Sequence, residues 1–173
     1  MTTDAVTFNV FIGLGSNLGD SVATLQRAAQ ALAELPGTQL IDVSPLFRTR
    51  PVGPQDQPDY LNAAAHLVTN IAPLDLLDAL KQIEQQLGRT PTRHWGERII
   101  DLDILDYESV ILDSERLTLP HAHVGERGFV LVPLHAIAPQ WQLADGRQVE
   151  NLYRTCNKDG ILYHGEIDWR PAP

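Results

Sequence analysis

The chain has 173 residues, of which 43% are hydrophobic and 20% are charged, and its formal net charge is -9. This length predicts a single domain, and the excess of acidic over basic residues argues against a protein that binds nucleic acid through its phosphates. One cysteine excludes an internal disulfide. The start of the chain lacks the pattern of a signal peptide and no apolar stretch has the length of a membrane helix, so we expect a soluble, cytoplasmic protein.

The first half of the chain predicts three strands and one helix. Residues 6–12 alternate with a period near two, which predicts the first strand. A helix with one apolar face follows and ends at the Pro-Gly pair 36–37. Residues 40–44 and 60–69 predict the second and third strands. The stretch between them, 48–58, contains three prolines and a glycine and therefore predicts a loop.

The second half begins with another helix pattern. Residues 73–88 open with a proline, carry leucines and an isoleucine on one face and close with a glycine. A second irregular loop over residues 89–97 precedes a predicted strand over residues 98–105. The short apolar segments 110–112 and 129–132 are expected to complete the core.

These elements predict an α+β sandwich rather than a doubly wound sheet, because several strands follow one another without an intervening helix. Beyond about Trp141 the sequence becomes polar and rich in turn residues. We therefore expect the main body of the domain over residues 1–142 and a peripheral C-terminal tail of the same domain over residues 143–173.

The basic residues are unevenly distributed. Eleven of the thirteen are arginines, and five arginines fall within fewer than forty residues: Arg89, Arg93, Arg98, Arg116 and Arg127. The planar guanidinium group binds phosphate or carboxylate in a bidentate way. This cluster predicts a local anion site, and arginines scattered over a solvated face are the alternative.

A glycine-rich segment follows the first predicted strand. Its glycines, Gly13, Gly15 and Gly19, do not have the spacing of a dinucleotide-binding fold, and the segment lacks the lysine of a P-loop. On its own it predicts a tight turn that leads into a helix N-cap.

Asp101 and Asp103 alternate with apolar residues in the predicted strand 98–105. The alternation places both carboxylates on one face and Ile100, Leu102 and Ile104 on the other. Like charges on one face repel each other unless a cation lies beside them. Mg²⁺ takes one or two protein carboxylates together with waters and phosphate oxygens, so the pair predicts a metal and phosphate site, with a solvated strand face as the alternative.

Single polar and aromatic residues near the loops are weaker indications. His121 has no third ligand at the spacing of a zinc site, so we interpret it as a phosphate donor, with a surface or packed histidine as the alternative. Tyr60, Trp95 and Phe129 are candidates for stacking on a flat ligand, although aromatic residues more often pack in a core.

Taken together, five segments resemble the 6-hydroxymethyl-7,8-dihydropterin pyrophosphokinase family of the folate pathway. The resemblance covers roughly residues 8–142, and its most specific part is the basic and aromatic loop that runs into Asp-x-Asp. The five segments are GSNLGD (15–20), GPQDQPDYLN (53–62), RHWGERIIDLDIL (93–105), RLTLPH (116–121) and RGFVLVPL (127–134).

The resemblance implies a ferredoxin-like α-β-α sandwich with a mainly antiparallel sheet. It also implies transfer of pyrophosphate from ATP to 6-hydroxymethyl-7,8-dihydropterin, with AMP and the pterin diphosphate as products, in folate biosynthesis. The implied ligands are ATP, the pterin and two Mg²⁺ ions. We expect a monomer that binds neither nucleic acid nor a membrane.

Residue roles follow from the resemblance alone. Asp101 and Asp103 would hold the metal ions, and they form the catalytic set together with Arg93 and Arg98. The ATP contacts would be Glu84, Arg89, Arg98, Ile104, Arg116, Thr118, His121 and Arg127. The pterin contacts would be Thr49, Arg50, Val52, Tyr60, Asn62, Trp95 and Phe129. No general base is assigned, because transfer between polyanions needs charge neutralisation and alignment above all.

Two other functions remain possible at this stage. A module that binds a pterin or a nucleotide without turnover would not need paired aspartates opposite an arginine set. A two-metal nuclease or nucleotidyltransferase would act on a polynucleotide, and the net charge of -9 argues against it.

Overall fold

The computed structural model describes residues 6–51, 55–89 and 98–170, and a six-stranded sheet forms its centre. The strands are β1 (Phe8–Ser16), β2 (Thr38–Val43), β3 (Leu46–Thr49), β4 (Tyr60–Thr69), β5 (Asp101–Tyr107), β6 (Leu112–Asp113), β7 (Thr118–Leu119) and β8 (Leu162–Gly165). The helices are α1 (Ser21–Ala33), α2 (Pro73–Gln86), α3 (Gly128–Ile137) and α4 (Val149–Thr155).

The sheet has the order β5-β1-β4-β3-β8, and β2 also pairs with β4. These pairings are all antiparallel. Strands β6 and β7 form a separate two-stranded ribbon. The predicted α+β class and the mainly antiparallel sheet are therefore confirmed.

Alternation along β1 directs side chains to two separate cores. Val10 and Ile12 pack with the apolar faces of α1 and α2, whereas Phe11 packs in a second cluster with Leu134 of α3 and Val149 of α4. Successive side chains of a strand point to opposite faces, so the helices cover both faces of the sheet. At roughly 25 cal/mol per Å² of apolar surface, these two cores supply the main driving force for folding.

The glycine-rich segment differs from the sequence expectation. Gly13 and Gly15 lie inside β1, because β4 and β5 pair with this part of the strand on both sides. Gly19 is in the left-handed region at φ 73° and forms the turn. Asp20 is the N-cap of α1, and its carboxylate accepts the backbone N–H of Ala23 at 3.1 Å. The predicted helix N-cap is confirmed. The predicted turn covers only the last residues of the glycine-rich segment, at Gly19.

Two other boundaries shift for identifiable reasons. The strand predicted over residues 98–105 begins only at Asp101, because the backbone of Arg98 bonds to Asn17 instead of to a neighbouring strand. The apolar segment 129–132 lies in the first turns of α3. Its run of apolar residues has no period of two or 3.6, so the sequence pattern could not assign it to a helix or a strand.

Residues 141–165 pack more closely on the rest of the domain than their polar composition indicates. Trp141 donates its indole N–H to the buried carboxylate of Asp106 at 2.7 Å. Leu143 and Val149 are buried in the second cluster. Strand β8 extends the central sheet by pairing with β3. Within the described residues, no helix has the length and apolar character needed to cross a bilayer.

Candidate active site

An open cleft lies where β1, β4 and β5 meet the first turn of α3. Its empty volume is about 760 Å³, a figure that includes open solvent at the mouth. The cleft is lined by Gly13, Leu14, Gly15, Thr49, Arg50, Tyr60, Asn62, Ala63, Asp101, Asp103, Leu105, His121, Arg127, Phe129 and Val130. It thus brings together residues from all five segments that carry the family resemblance.

The floor of the cleft is bare backbone at two glycines of β1. A methyl group on Gly13 would lie 3.1 Å from the Leu105 side chain, and one on Gly15 would lie 3.1 Å from the Asn62 side-chain oxygen. Both separations are tighter than most real contacts, so a larger residue would displace a cleft residue. Sequence analysis missed this role, although two glycines inside a strand pattern are a signal of close approach.

Asp101 and Asp103 project from β5 into the cleft. Leu102 and Ile104, which alternate with them, are buried in the core beneath α1 and α2. The predicted segregation of carboxylates to one strand face is therefore confirmed. In the pairing of β5 with β1, Asp103 lies opposite Gly13 and Asp101 lies opposite Gly15. Both carboxylates are therefore next to the two glycines that form the floor of the cleft.

The electrostatics of this strand face are unfavourable without a cation. Burial first, and then the negative charges of Asp101 and Glu84, raise the pKa of Asp103 to about 7, although Arg127 and Arg89 oppose the shift. A carboxyl group whose ionised form is disfavoured by burial and by like charges gains from a bound cation. Two oxygen donors on one face are the hard ligands that Mg²⁺ prefers, so the residues present fit this ion.

Glu84 acts on the site through its neighbours. It is buried on α2, and one carboxylate oxygen accepts the backbone N–H of Leu102 at 2.8 Å. Its other oxygen pairs with the Arg89 guanidinium at 2.8 Å, and Arg89 reaches Asp101 at 3.4 Å. Burial raises the pKa of Glu84, and the bond to Leu102 and the charge of Arg89 counteract this shift. Glu84 therefore fixes β5 and holds Arg89 beside the aspartate pair.

His121 presents a defined hydrogen-bond donor to the cleft. Its Nδ1 accepts the backbone N–H of His123 at 3.1 Å, so the neutral ring carries its proton on Nε2. Burial lowers the pKa of His121, and the charges of Arg127 and His123 lower it further. At neutral pH the ring is uncharged and donates one hydrogen bond from Nε2.

The cleft combines aromatic and amide groups on the side of β1 where β4 pairs, and the aspartate pair lies on the other side, where β5 pairs. These two sides are called here the aromatic end and the carboxylate end. Tyr60 and Phe129 both line the cleft, and Asn62 lies between the strands with its amide N–H donated to Thr49 Oγ1 at 2.8 Å. The Arg127 guanidinium lies 5.7 Å from the centre of the Phe129 ring. The aromatic end suits a flat heteroaromatic ring with polar edges.

Several predicted residues lie outside the lining of the cleft. The Ile104 side chain is buried in the core on the opposite face of β5. Only the backbone of this residue could therefore contact a ligand in the cleft. Arg116 forms an ion pair with Asp78 of α2, and Thr118 is exposed on β7. Arg98 lies just before β5. The predictions for Val52, Arg93 and Trp95 fall outside the described residues.

Asn17 is a buried residue that the sequence analysis did not single out. Its amide N–H groups donate to the side-chain oxygen of Gln57 and to the carbonyl of Pro58, each at 2.9 Å. Its side-chain oxygen accepts the backbone N–H of Arg98 at 2.9 Å. Asn17 thus joins the end of one predicted loop to the end of the other. The burial of an asparagine cannot be predicted from the sequence, because it depends on how the surrounding loops fold.

The chain is similar to known proteins of one family. The family model described as 7,8-dihydro-6-hydroxymethylpterin-pyrophosphokinase (HPPK) matches residues 11–139. The 2-amino-4-hydroxy-6-hydroxymethyldihydropteridine pyrophosphokinase of Pseudomonas aeruginosa is 47% identical over 152 residues, which cover 88% of this chain and 94% of that protein. The Haemophilus influenzae protein of the same name is 45% identical over 144 residues, covering 83% and 90%.

Solved structures give the same fold at lower identity. An HPPK-DHPS triple mutant from Plasmodium falciparum superposes with a TM-score of 0.70 at 16% identity. The match covers 88% of this chain and 44% of that one, so this chain spans less than half of its length.

The ferredoxin-like fold and the enzyme class expected from the motifs are confirmed, and the relatives do not support the alternative of a binding module without turnover. The chain belongs to the 7,8-dihydro-6-hydroxymethylpterin-pyrophosphokinase family.

Proposed function

We propose that the cleft of this chain transfers pyrophosphate from ATP to 6-hydroxymethyl-7,8-dihydropterin, with AMP and the pterin diphosphate as products. The observation that carries the proposal is the division of one cleft into two ends. Asp101, Asp103, His121 and Arg127 line the end that suits phosphates, and Tyr60, Asn62 and Phe129 line the end that suits a flat ring.

The pterin occupies the aromatic end in this proposal. Its ring stacks between Tyr60 and Phe129, and the Asn62 side chain hydrogen-bonds a polar edge. Thr49 and Arg50 line the same wall. Stacking contributes apolar burial and a preferred geometry, whereas the amide selects the pattern of donors and acceptors on the ring. The hydroxymethyl group then points toward the carboxylate end.

The triphosphate occupies the carboxylate end. Asp101 and Asp103 would hold two Mg²⁺ ions there, which supply charge neutralisation for the phosphate oxygens and orient them. Arg89 is already held beside Asp101 by Glu84, and Arg127 borders the cleft. Arg98, Arg116 and Thr118 are proposed as further contacts to the phosphates and the ribose.

The reaction exchanges one phosphorus–oxygen bond for another. The pterin hydroxymethyl oxygen forms a bond to the β-phosphorus of ATP, the bond from that phosphorus to the oxygen of the α-phosphate breaks, and the hydroxyl proton is released. Fixed donors lower the barrier where charge develops on the transferred group. Arg127 and Arg89 donate as cations, and neutral His121 donates from Nε2. The chain supplies alignment and charge, and no side chain is assigned as the base.

One assay tests the proposal directly. The purified chain is incubated with ATP, Mg²⁺ and 6-hydroxymethyl-7,8-dihydropterin, and AMP and the pterin diphosphate are quantified. We expect the two products in equal amounts and no AMP when the pterin is omitted. Binding of both ligands without AMP would instead indicate a binding module. Retention of a polynucleotide on a filter at low salt would indicate the third class of function.

A further inference from the structure

Residues 157–165, called here the C-terminal segment, contact the first residue of α3. A methyl group on Gly128 would lie 2.1 Å from the carbonyl oxygen of Asn157 and 2.9 Å from Cδ1 of Ile161. The first of these distances is far below any real contact, so the segment packs directly on the backbone of Gly128. This glycine stands between two cleft residues, Arg127 and Phe129.

The same segment also bonds to β3. Strand β8 pairs with it so that Phe47 faces Tyr163 and Arg48 faces Leu162. The rings of Phe47 and Tyr163 are in edge contact at 6.4 Å between centres. Strand β3 ends at Thr49, and Thr49 and Arg50 line the cleft. Thr49 pairs with Tyr60 of β4, which also lines the cleft. The segment therefore contacts α3 next to Phe129 and the strand that pairs with Tyr60, and these are the two rings proposed to stack on the pterin.

The turn that joins these two contacts has a defined conformation. The backbone N–H of Asp159 donates to the Asn157 side chain at 2.9 Å, and the N–H of Ile161 donates to the carbonyl of Lys158 at 3.2 Å. Gly160 has φ 75°, which other residues adopt only with strain. A turn with internal hydrogen bonds keeps the two contacts at a fixed separation.

We propose that the C-terminal segment is a positioning element for the pterin, because it sets the separation between Tyr60, which it reaches through β3, and Phe129, which it reaches through Gly128. The inference rests on the proposed function, and it assigns a role in substrate binding to residues that do not touch the substrate. A stacking site depends on the distance between its walls to within a fraction of an ångström. Loosening the segment therefore lowers pterin affinity more than nucleotide affinity, because only Arg127 of the phosphate contacts adjoins Gly128, whereas Asp101, Asp103 and Arg89 lie on other elements.

Two matched pairs of variants test the inference. Ile161→Ala removes packing from the segment, and Leu152→Ala removes a comparable half-buried aliphatic side chain from the second cluster, on α4 and outside the segment. Gly160→Ala introduces strain into the turn, and Gly146→Ala introduces similar strain at φ 94° in a turn outside the segment. Each pair is matched in the kind of destabilisation that it causes.

Calorimetry supplies the readout, with the pterin titrated in the presence of Mg²⁺ and a non-hydrolysable ATP analogue. We expect Ile161→Ala and Gly160→Ala to raise the pterin Kd by about three- to thirtyfold, with the nucleotide Kd changed less than about twofold. The Leu152→Ala and Gly146→Ala controls should lower the melting temperature to a similar degree without that change in pterin affinity. If Ile161→Ala does not fold, the glycine pair alone decides.

Equal pterin Kd values in the segment variants and their controls would overturn the inference and assign the segment a purely structural role. The proposed function is judged separately by the wild-type chain in the same titration. A wild-type chain that fails to bind the pterin refutes the proposed function, and the inference falls with it. If the wild-type chain binds the pterin normally and the segment variants have the same pterin Kd as their controls, only the inference is refuted.

Discussion

Two aspartates of β5 lie only three residues apart and have opposite relationships to their surroundings. Asp106 is completely buried, and its two carboxylate oxygens accept the Trp141 indole N–H at 2.7 Å and the Ala144 backbone N–H at 3.1 Å. Asp103 lines the cleft, where burial and the charges of Asp101 and Glu84 disfavour its ionised form.

The difference separates a structural carboxylate from a functional one. The bonds to Trp141 and Ala144 offset part of the effect of burial, which still raises the pKa of Asp106. Among the residues that the structure describes, Asp103 instead has the like charges of Asp101 and Glu84 as neighbours, which Arg127 and Arg89 only partly oppose. A cation with phosphates would complete its surroundings. A buried polar group that the fold satisfies stabilises the fold, whereas one that the fold leaves unfavourable is a candidate for ligand binding.

The largest expected effect is on turnover. Replacing Asp101 or Asp103 with alanine removes a proposed metal ligand, so we expect AMP production at saturating Mg²⁺ to fall by at least about 10²–10³-fold. The matched control is Asp106→Asn, which alters a buried carboxylate of the same strand. Its turnover should remain within a few-fold of wild type. Activity of Asp101→Ala or Asp103→Ala within about threefold of wild type would contradict the two-metal site.

For stability we expect the opposite order, with a larger effect from the loss of Asp106 than from the loss of Asp103. Asp106→Ala leaves the indole N–H and the Ala144 N–H without their acceptor, so the free energy of unfolding should fall by about 1–3 kcal/mol. Urea denaturation measures this change, with Asp103→Ala as the comparison. A loss of stability in Asp103→Ala as large as that in Asp106→Ala would remove the distinction between the two carboxylates.

A third substitution, Phe129→Ala, tests whether the two ends of the cleft bind different ligands. Phe129→Ala removes stacking area from the aromatic end, and we expect pterin affinity to fall by about 1–3 kcal/mol. Nucleotide affinity should change little, because the carboxylate end keeps its charges. Both affinities can be measured by calorimetry. A variant that loses the nucleotide but retains the pterin would show that Phe129 belongs to the other ligand.

The smallest expected effect concerns the stability of the metal-free protein as the pH changes. The pKa of Asp103 is about 7 in the folded chain and near 3.8 when the group is unperturbed. The folded state therefore binds this proton more tightly, so the free energy of unfolding declines as the pH rises from about 4 to about 7. Asp103→Asn lacks this decline.

The measurement for this prediction is thermal unfolding in the absence of divalent cations. We expect Asp103→Asn to melt a few degrees above wild type at pH 8 and with wild type at pH 4. Added Mg²⁺ at pH 8 should stabilise wild type more than the variant. A variant that melts below wild type at pH 8 without metal would indicate that the Asp103 carboxylate is favourable in the empty cleft.

Residues 98–134 show how much of the site could be predicted from the sequence. The alternation around Asp101 and Asp103 placed both carboxylates on one face, because side-chain direction in a strand follows from position alone. The motifs also identified Tyr60, Asn62, His121, Arg127 and Phe129, all of which line the cleft. Ile104 shows the limit of a motif, because its neighbours are cleft residues while its own side chain is in the core.

The local features of this protein can be predicted from the order of its residues: the period of its strands, the apolar faces of α1 and α2, the N-cap before α1 and the two carboxylates on one face of a strand. Each of these features depends on residues that are close together in the sequence, so a local pattern predicts it. Only the tertiary structure decided that Gly13 and Gly15 form a floor, that Asn17 joins two loops and that the polar C-terminal segment packs on Gly128. Each of these depends on contacts between residues far apart in sequence, for which a single sequence carries no local pattern.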